Sequence, residues 1–449
     1  MASQLLEEDS LQRLNPSASN GKGASSYGSV NDPVTAKELD EPGPNVPRLL
    51  WTMSLNAAML GIGMALALLG PTLVGIAANL QMPFAAAGAL FSFRSVGYLV
   101  GSLLCGVLMD NCNNVAAVFL APLAAACASA CLIPHTQSFF LACILLSTQG
   151  LSMGMLDTGG NVLLLVLWHG SDYLNGLMHA LHFFFGLGAF VAPLLVGWWV
   201  QEGYDPVQTW NLTFIGLLLP VNGFFLLCFA PQPKTKPEAP GETVLNRVVL
   251  LSGTFLFFYV GMEVTFGGYI DVFAVRWLGA PESDAAFLNS FYWGFLCLGR
   301  LVAAVVTPYV NHIRYLAVHV AAAAASIGLL LFATHSAGTP IVGSIGWWSG
   351  VVFPTAVFGF ALAPLFPGAV LVAEELLGGS ISGKAASILV MVAALGEMLV
   401  PLVTGALFAC RATSFCWMQL FVCCASSIVF ISNGSELLFQ HKVVEHGMP

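Results

Sequence analysis

Charge is the scarcest property of this chain. Only 8% of its 449 residues are Asp, Glu, Lys or Arg, where an ordinary soluble domain carries about a quarter. The formal net charge of −9 comes largely from the N-terminal tail and a few loop residues, and it speaks against nucleic acid as a partner. A phosphate-binding glycine loop, a zinc-ligand spacing and a nucleophile elbow are all missing. No polar stretch is long enough for a catalytic domain, and no nucleophile–base pair is evident. The expectation is therefore a protein that is not an enzyme and holds no cofactor. What is abundant is apolar: 57% of residues are hydrophobic, and 46 are glycine, as in close-packed membrane helices. The class this implies is an all-α membrane protein with the lipid bilayer as its solvent.

Residues 1–46 are polar, rich in Ser, Gly, Asn and Pro, and without an apolar core. They read as a disordered tail rather than a cleaved signal peptide. Tyr27-Gly28-Ser29-Val30 has the pattern of a tyrosine-based sorting signal, a candidate contact for a sorting adaptor, although four-residue matches also arise by chance. Most of the eleven cysteines fall inside apolar runs, where Cys acts as a small hydrophobe. Cys410 and Cys416 flank a short loop; a disulfide and two separate thiols are both open there.

Runs long enough to span a bilayer cover 49–78, 84–109, 115–134, 138–168, 178–200, 209–230, 247–277, 285–309, 313–334, 347–373, 384–409 and 414–432. The polar linker 231–246 divides these twelve helices into a bundle at 47–230 and another at 247–432, with a short tail at 433–449. Lys and Arg gather on the side of the two termini, which the positive-inside rule makes cytoplasmic. The sequon Asn211-Leu212-Thr213 falls on the outer side but almost in the membrane; Asn433-Gly434-Ser435 falls inside. The halves echo each other. Leu90-Phe91-Ser92-Phe93 with Gly101 matches Leu288-Asn289-Ser290-Phe291 with Gly299, at an offset of 198 residues. Repeated halves with a site at their interface mark secondary transporters.

Asp157 is the only formally charged residue between Ser138 and Trp168. A carboxylate at the centre of a membrane helix costs about 2.5–3.5 kcal/mol on insertion scales, a cost carried where the group faces protein, water or a ligand. Gly159 and Gly160 thin the helix beside it, and Asn161 shares its face at i+4. Arg94 on helix 2, Glu263 on helix 7, Arg300 on helix 8 and Glu397 on helix 11 complete the intramembrane charges, and helices 3, 6, 9 and 12 carry none away from their ends. Counted along the helix axes, Glu263, Arg300 and Glu397 reach similar depth near the midplane. That C-half cluster carries one uncompensated negative charge, while Asp157 and Arg94 balance. Such a site invites a cation or a proton as co-substrate, with Glu263 as a candidate sodium ligand helped by carbonyls near Gly267 and Gly268. The competing reading is an ion-pair network that only locks helices together. His179 and His182, at i and i+3, are gate candidates or simply interfacial histidines. Eight tryptophans lie at helix ends as an aromatic belt. Trp293 lies deeper, as core packing or a stacking face for a sugar.

At these residues the sequence resembles a known family. Met153 to Leu164, His179 to Phe190, Tyr259 to Gly267, Gly396-Glu397-Met398 and Arg94-Ser95-Val96-Gly97-Tyr98 are similar, in order, to the sodium-dependent glucose transporter branch of the major facilitator superfamily. More distantly, Leu156-Asp157-Thr158-Gly159-Gly160-Asn161 resembles the helix 4 motif of fucose–proton symporters. That likeness implies a proton-linked role for Asp157. The symporters' second acid, in helix 1, has no counterpart here, where Asn56 is the only strongly polar residue deep in the helix. The superfamily's inner-gate motif survives as Gly106 and Asp110-Asn111, without the basic residues that normally follow. The resemblance implies a twelve-helix major facilitator fold in two pseudo-symmetric halves.

The reading is an alternating-access transporter of a small polar solute, a monosaccharide such as glucose foremost, coupled to a cation, with sodium ahead of proton as the candidate. Asp157, Asn161, Glu263 and Arg300 supply the donors and acceptors that hydroxyl groups need. The rivals are a facilitative uniporter and a non-transporting sensor or scaffold. The membrane expected is the plasma or endolysosomal membrane.

Overall fold

The computed structural model describes residues 46–83, 86–168, 171, 173–233, 247–335, 340–376 and 383–446. The Tyr27–Val30 motif, most of the linker 231–246, and the side chains of Asp110 and His179 lie outside the described residues. Twelve helices among the described residues are long and apolar enough to cross a membrane. They are α1 Val46–Asn79, α2 Gly88–Asn111, α3 Val115–Leu132, α4 Phe139–Leu167, α5 Leu174–Gln201, α6 Trp210–Leu227, α7 Arg247–Arg276, α8 Glu282–Val306, α9 His312–His335, α10 Ile345–Val370, α11 Gly383–Cys410 and α12 Ser414–His446. Each coincides with an apolar run of the sequence to within a few residues. The exception is α12, which continues to His446 where hydropathy ends the span at 432.

Local chemistry sets several ends. The Asn114 side chain accepts from the Ala117 amide at 3.1 Å and starts α3, and Ser138 does the same for Leu141 at the start of α4. In α10 a π-turn covers Trp348–Val352, and the helix breaks after Leu362. Pro364 has no amide hydrogen to continue the ladder. The break leaves the Ala361 carbonyl without its usual helical partner, and His319 of α9 brings its Nδ1 to 3.1 Å from that oxygen. His319 therefore has a structural task.

The aromatic belt is only half a belt. Trp198 and Trp348 are exposed, but Trp51, Trp168, Trp210 and Trp347 are buried. The Trp168 indole donates to Thr52 at 2.9 Å, and the Trp210 indole donates to Thr72 at 3.0 Å. Both tie their helices to α1, because a buried indole N–H needs an acceptor.

The closest crossing in the N-half joins α2 to α4. Gly97 and Gly101 on α2 meet Gly150 and Gly154 on α4, a small-xxx-small spacing on both partners. A Cβ on any of the four would run into a backbone carbonyl of the other helix: Ser147, Leu151, Arg94 or Tyr98. These are the glycines that let backbones touch. Gly159 is instead packed under Cys105 and Phe119, and Gly160 under Leu55.

The sequence echo is a structural one. Gly150 abuts the Arg94 carbonyl as Gly359 abuts that of Tyr292. Gly188 abuts the Leu60 carbonyl as Gly396 abuts that of Phe257. Across the interface between halves, Ser92 of α2 donates to the Met398 carbonyl of α11 at 3.3 Å, and Ser290 of α8 donates to the Phe190 carbonyl of α5 at 3.0 Å. The two serines are the matched pair of the repeat. The halves meet through α1 with α7, α2 with α11 and α5 with α8. On the side of the α1–α2 loop this interface is sealed. A Cβ on Gly70 would stand 2.7 Å from the Gly267 carbonyl oxygen, one on Gly405 would stand 3.1 Å from the Gly88 Cα, and one on Gly197 would stand 2.6 Å from the Phe287 ring. Every residue is buried from Gly61 to Gly70 and from Gly261 to Ala274. Toward the termini, Asn56 of α1 and Phe257, Phe258 and Val260 of α7 are partly exposed.

Candidate functional site

The α2–α4 crossing delivers the first part of the site. With Gly150 and Gly154 holding the helices in backbone contact, Tyr98 of α2 reaches Asp157 of α4, and its hydroxyl donates to Asp157 Oδ2. Asn161, one turn on, donates from Nδ2 to the Asp157 carbonyl at 2.6 Å and to Oδ1 at 3.2 Å. Asp157, Asn161 and Tyr98 are all partly exposed. Among the described residues no salt bridge reaches Asp157. Two neutral donors hold its carboxylate in place and leave its charge uncancelled.

The second part lies in the C-half. Arg300 Nη2 of α8 donates to Glu263 Oε1 of α7 at 3.2 Å, and the Tyr292 hydroxyl donates to the Glu263 carbonyl at 2.9 Å. The guanidinium side chain is 17% exposed and the carboxylate 9%, so the pair lies at the edge of the buried region. Tyr259, one turn before Glu263, is fully buried beside both groups.

The third part bridges the halves. Arg94 of α2 is wholly buried; it donates from Nη1 to the Leu66 carbonyl of α1 at 3.0 Å and lies 5.4 Å from the Phe91 ring centre. Its Nη2 stands 3.6 Å from Glu397 Oε1 of α11, an ion pair without a hydrogen bond in which both atoms lack other partners. Glu397 is within electrostatic reach of both Asp157 and Glu263, so the five charges form one connected belt.

This corrects the expected grouping. Depth along the helix axis puts Glu263, Glu397 and Arg300 in one C-half cluster, but Glu397 points across the interface to Arg94 instead. With Arg94–Glu397 and Arg300–Glu263 each neutral, the belt still totals one negative charge, but that charge sits on Asp157 in the N-half. Glu263, already facing a guanidinium, is a poor first ligand for sodium, and the Gly267 carbonyl invoked to help it is occupied by the Asn289 amide at 2.7 Å. Trp293 is 1% exposed with its ring against Gly267, so in this conformation it packs and offers no face to a sugar. His182 is half-buried on α5. Asn56 is partly exposed, with its Oδ1 buried and unpartnered. Cys410 and Cys416 are separate thiols.

Four polar residues went unread in the sequence. Tyr98 was legible only as the end of a motif, because a tyrosine in a membrane helix carries no cost that marks it. Tyr259 and Tyr292 are hidden for the same reason. Asp271 is different: flanked by Ile270 and Val272 on α7, it carries the same signal as Glu263, and it is 4% exposed with Oδ1 lacking a partner. Among the described residues no group of three or more His, Cys, Asp or Glu stands together to hold a metal.

The model of the Major Facilitator Superfamily matches residues 55–355 of the chain. Sodium-dependent glucose transporter 1A of Mus musculus is 32% identical, over 79% of this chain and 88% of that protein. Sodium-dependent glucose transporter 1 of Homo sapiens is 31% identical, over 79% of this chain and 72% of that protein. Among solved structures, the nucleoside transporter NupG superposes with a TM-score of 0.65 over 87% of this chain and 99% of that one, at 13% identity, a likeness of fold alone.

Proposed function

Because the chain belongs to the Major Facilitator Superfamily, we propose that it moves a monosaccharide, glucose foremost, across a membrane by alternating access, driven by a cation for which sodium is the first candidate. The relatives named as sodium-dependent glucose transporters support the solute and the ion. The observation that carries the reading is Asp157: a carboxylate that no salt bridge among the described residues reaches, oriented by Tyr98 and Asn161, partly exposed where the interface of the halves is not sealed. Nothing in a lipid-embedded scaffold repays that placement, whereas a polar solute or a cation does.

The conformation is sealed on the side of the α1–α2 loop. With both termini in the cytoplasm, as the distribution of Lys and Arg supports, this is the inward-facing state. Solute entering from the cytoplasmic side meets Asp157, Asn161 and Tyr98 on one half and Arg300 on the other. Carboxylate and amide oxygens accept from sugar hydroxyls, and the amide and guanidinium donate to them. The Arg94–Glu397 pair and the Ser92 and Ser290 bonds cross the interface, so opening the far side requires breaking all three. No catalytic step belongs to this reading. The sorting motif at Tyr27–Val30 supports delivery by an adaptor to the plasma or an endolysosomal membrane.

The test is uptake of a panel of labelled sugars into proteoliposomes with imposed sodium or proton gradients. D-glucose is expected to accumulate above equilibrium under an inward sodium gradient. Equilibration without accumulation under either gradient would make the protein a uniporter. Failure of every sugar to enter would overturn the reading.

A further inference from the structure

The hydrogen bonds around Asp157 fix which kind of group can still be added there. Its Oδ2 accepts from the Tyr98 hydroxyl and its Oδ1 accepts from Asn161 Nδ2 at 3.2 Å. A carboxylate offers about four lone-pair sites on its two oxygens, so each oxygen keeps room for a further donor. Asn161 spends both amide hydrogens, one on the Asp157 carbonyl at 2.6 Å and one on the carboxylate. Its Oδ1 remains as a third acceptor in the same cluster. Three acceptors are left, and the donors of Tyr98 and Asn161 are used. An ammonium is the complement of that set: three N–H donors, one positive charge and no acceptor.

The charge count points the same way. Arg94 faces Glu397 and Arg300 faces Glu263, and among the described residues no salt bridge reaches Asp157. Glu397 lies within electrostatic reach of Asp157 and adds to the negative potential there. In this conformation the Asp157 side of the interface is open, and the residue is partly exposed. Alternating access passes through a state closed on both sides, where the water that screens the carboxylate is lost. A charge buried without a partner is costly, so one positive charge has to be enclosed with the solute. A neutral sugar needs that charge from a separate cation. A sugar that carries an ammonium brings its own.

We propose that the Asp157–Asn161–Tyr98 cluster accepts aminosugars, monosaccharides bearing a protonated amine, whose ammonium docks on Asp157 and takes the place of the coupling cation. This rests on the cation-coupled sugar reading and extends its substrate class. The same count excludes uronates. Their carboxylate adds a second negative charge to the belt, and the partly exposed guanidinium of Arg300 is already engaged by Glu263.

The experiment measures initial uptake of labelled D-glucose and D-glucosamine by the full chain in proteoliposomes. Potassium is kept equal on both sides with valinomycin to clamp the potential, with and without added sodium, for wild type and Asp157→Asn. Without sodium, D-glucosamine is expected to half-saturate wild type at a concentration roughly tenfold or more below that of D-glucose. Sodium is expected to narrow the gap by improving D-glucose alone. In Asp157→Asn the two sugars are expected to half-saturate alike, because the isosteric amide has no charge to neutralise. The ligand gives a second route that leaves the protein intact: raising the pH until the amine is neutral should erase the preference in wild type. Equal half-saturation of the two sugars in wild type without sodium overturns the proposal, while sodium-driven uptake of D-glucose still stands. A preference for D-glucosamine that survives in Asp157→Asn, or after its amine is neutralised, also overturns it. Entry of neither sugar overturns the sugar-transport reading and the proposal with it.

Discussion

Asp157 concentrates the functional argument in one side chain. A carboxylate held by a phenol and a carboxamide has its geometry fixed and its charge free, the arrangement a coupling or solute-binding group needs and a structural one does not. Asp157→Asn is therefore expected to abolish accumulation of sugar while exchange of internal for external sugar continues, measured in the same proteoliposomes with and without a gradient. Undiminished accumulation would remove Asp157 from coupling. Tyr98→Phe tests the orienting bond separately. The hydroxyl's hydrogen bond to a charged group contributes about 1.5–3 kcal/mol, so affinity for the solute should fall by roughly one to two orders of magnitude, with the protein still folded. Asp157 was legible because a lone charge in an apolar run is conspicuous. Tyr98 was not, because its significance comes only from the helix it touches.

At the scale of the helix, the decisive feature is the four-glycine crossing of α2 and α4. Gly154→Ala would press a methyl group into the Tyr98 carbonyl, forcing the helices apart where Tyr98 reaches Asp157. Overpacking of this kind costs about 1–3 kcal/mol, and it should lower both the melting temperature and transport. Gly328→Ala on α9 is the matched control. Its added Cβ meets nothing within 4 Å, and Ala exceeds Gly in a helix interior by about 1 kcal/mol, so that variant should melt no lower than wild type. Equal effects of the two would show that the crossing is not tight. Helix number and length were legible from apolar runs, since a bilayer demands both. The crossings were not. Four glycines at regular spacing were visible in the sequence, but the glycines beside Asp157 drew the attention and proved to be under side chains, while those that meet backbone lie a turn or more earlier. The break at Pro364 follows from its missing amide, but the partner that satisfies the freed carbonyl, His319, belongs to another helix and leaves no local sign.

For the whole molecule, the pairing of charges across the halves was the part that the sequence could not convey. Depth along an axis is a one-dimensional estimate; which way Glu397 points around its helix depends on how one half is rotated against the other. The internal repeat gave the right frame, since Ser92 and Ser290 make matched bonds across the interface. The charges break the symmetry of that frame. Arg94 corresponds to Tyr292 in the repeat, so an ion pair between halves exists at α2–α11, and among the described residues no salt bridge is seen at the equivalent place between α8 and α5. This asymmetry gives the final prediction. Removing one partner of a buried pair leaves an uncompensated charge, at a cost of about 3–5 kcal/mol, whereas removing both leaves none. Arg94→Ala should thus destabilise the protein more than Arg94→Ala combined with Glu397→Gln, as read in thermal melts. The combination of Arg300→Ala with Glu397→Gln should be close to additive, since each of those residues faces a different partner. Because the Arg94–Glu397 pair belongs to the sealed interface, the double variant should also spend more time open toward the α1–α2 loop, and a membrane-impermeant thiol reagent applied from that side should label a cysteine placed at the buried Ala274 of α7 faster than in the parent. Simple additivity for Arg94 and Glu397, with unchanged labelling, would mean that the pair neither binds the halves together nor biases the transport cycle.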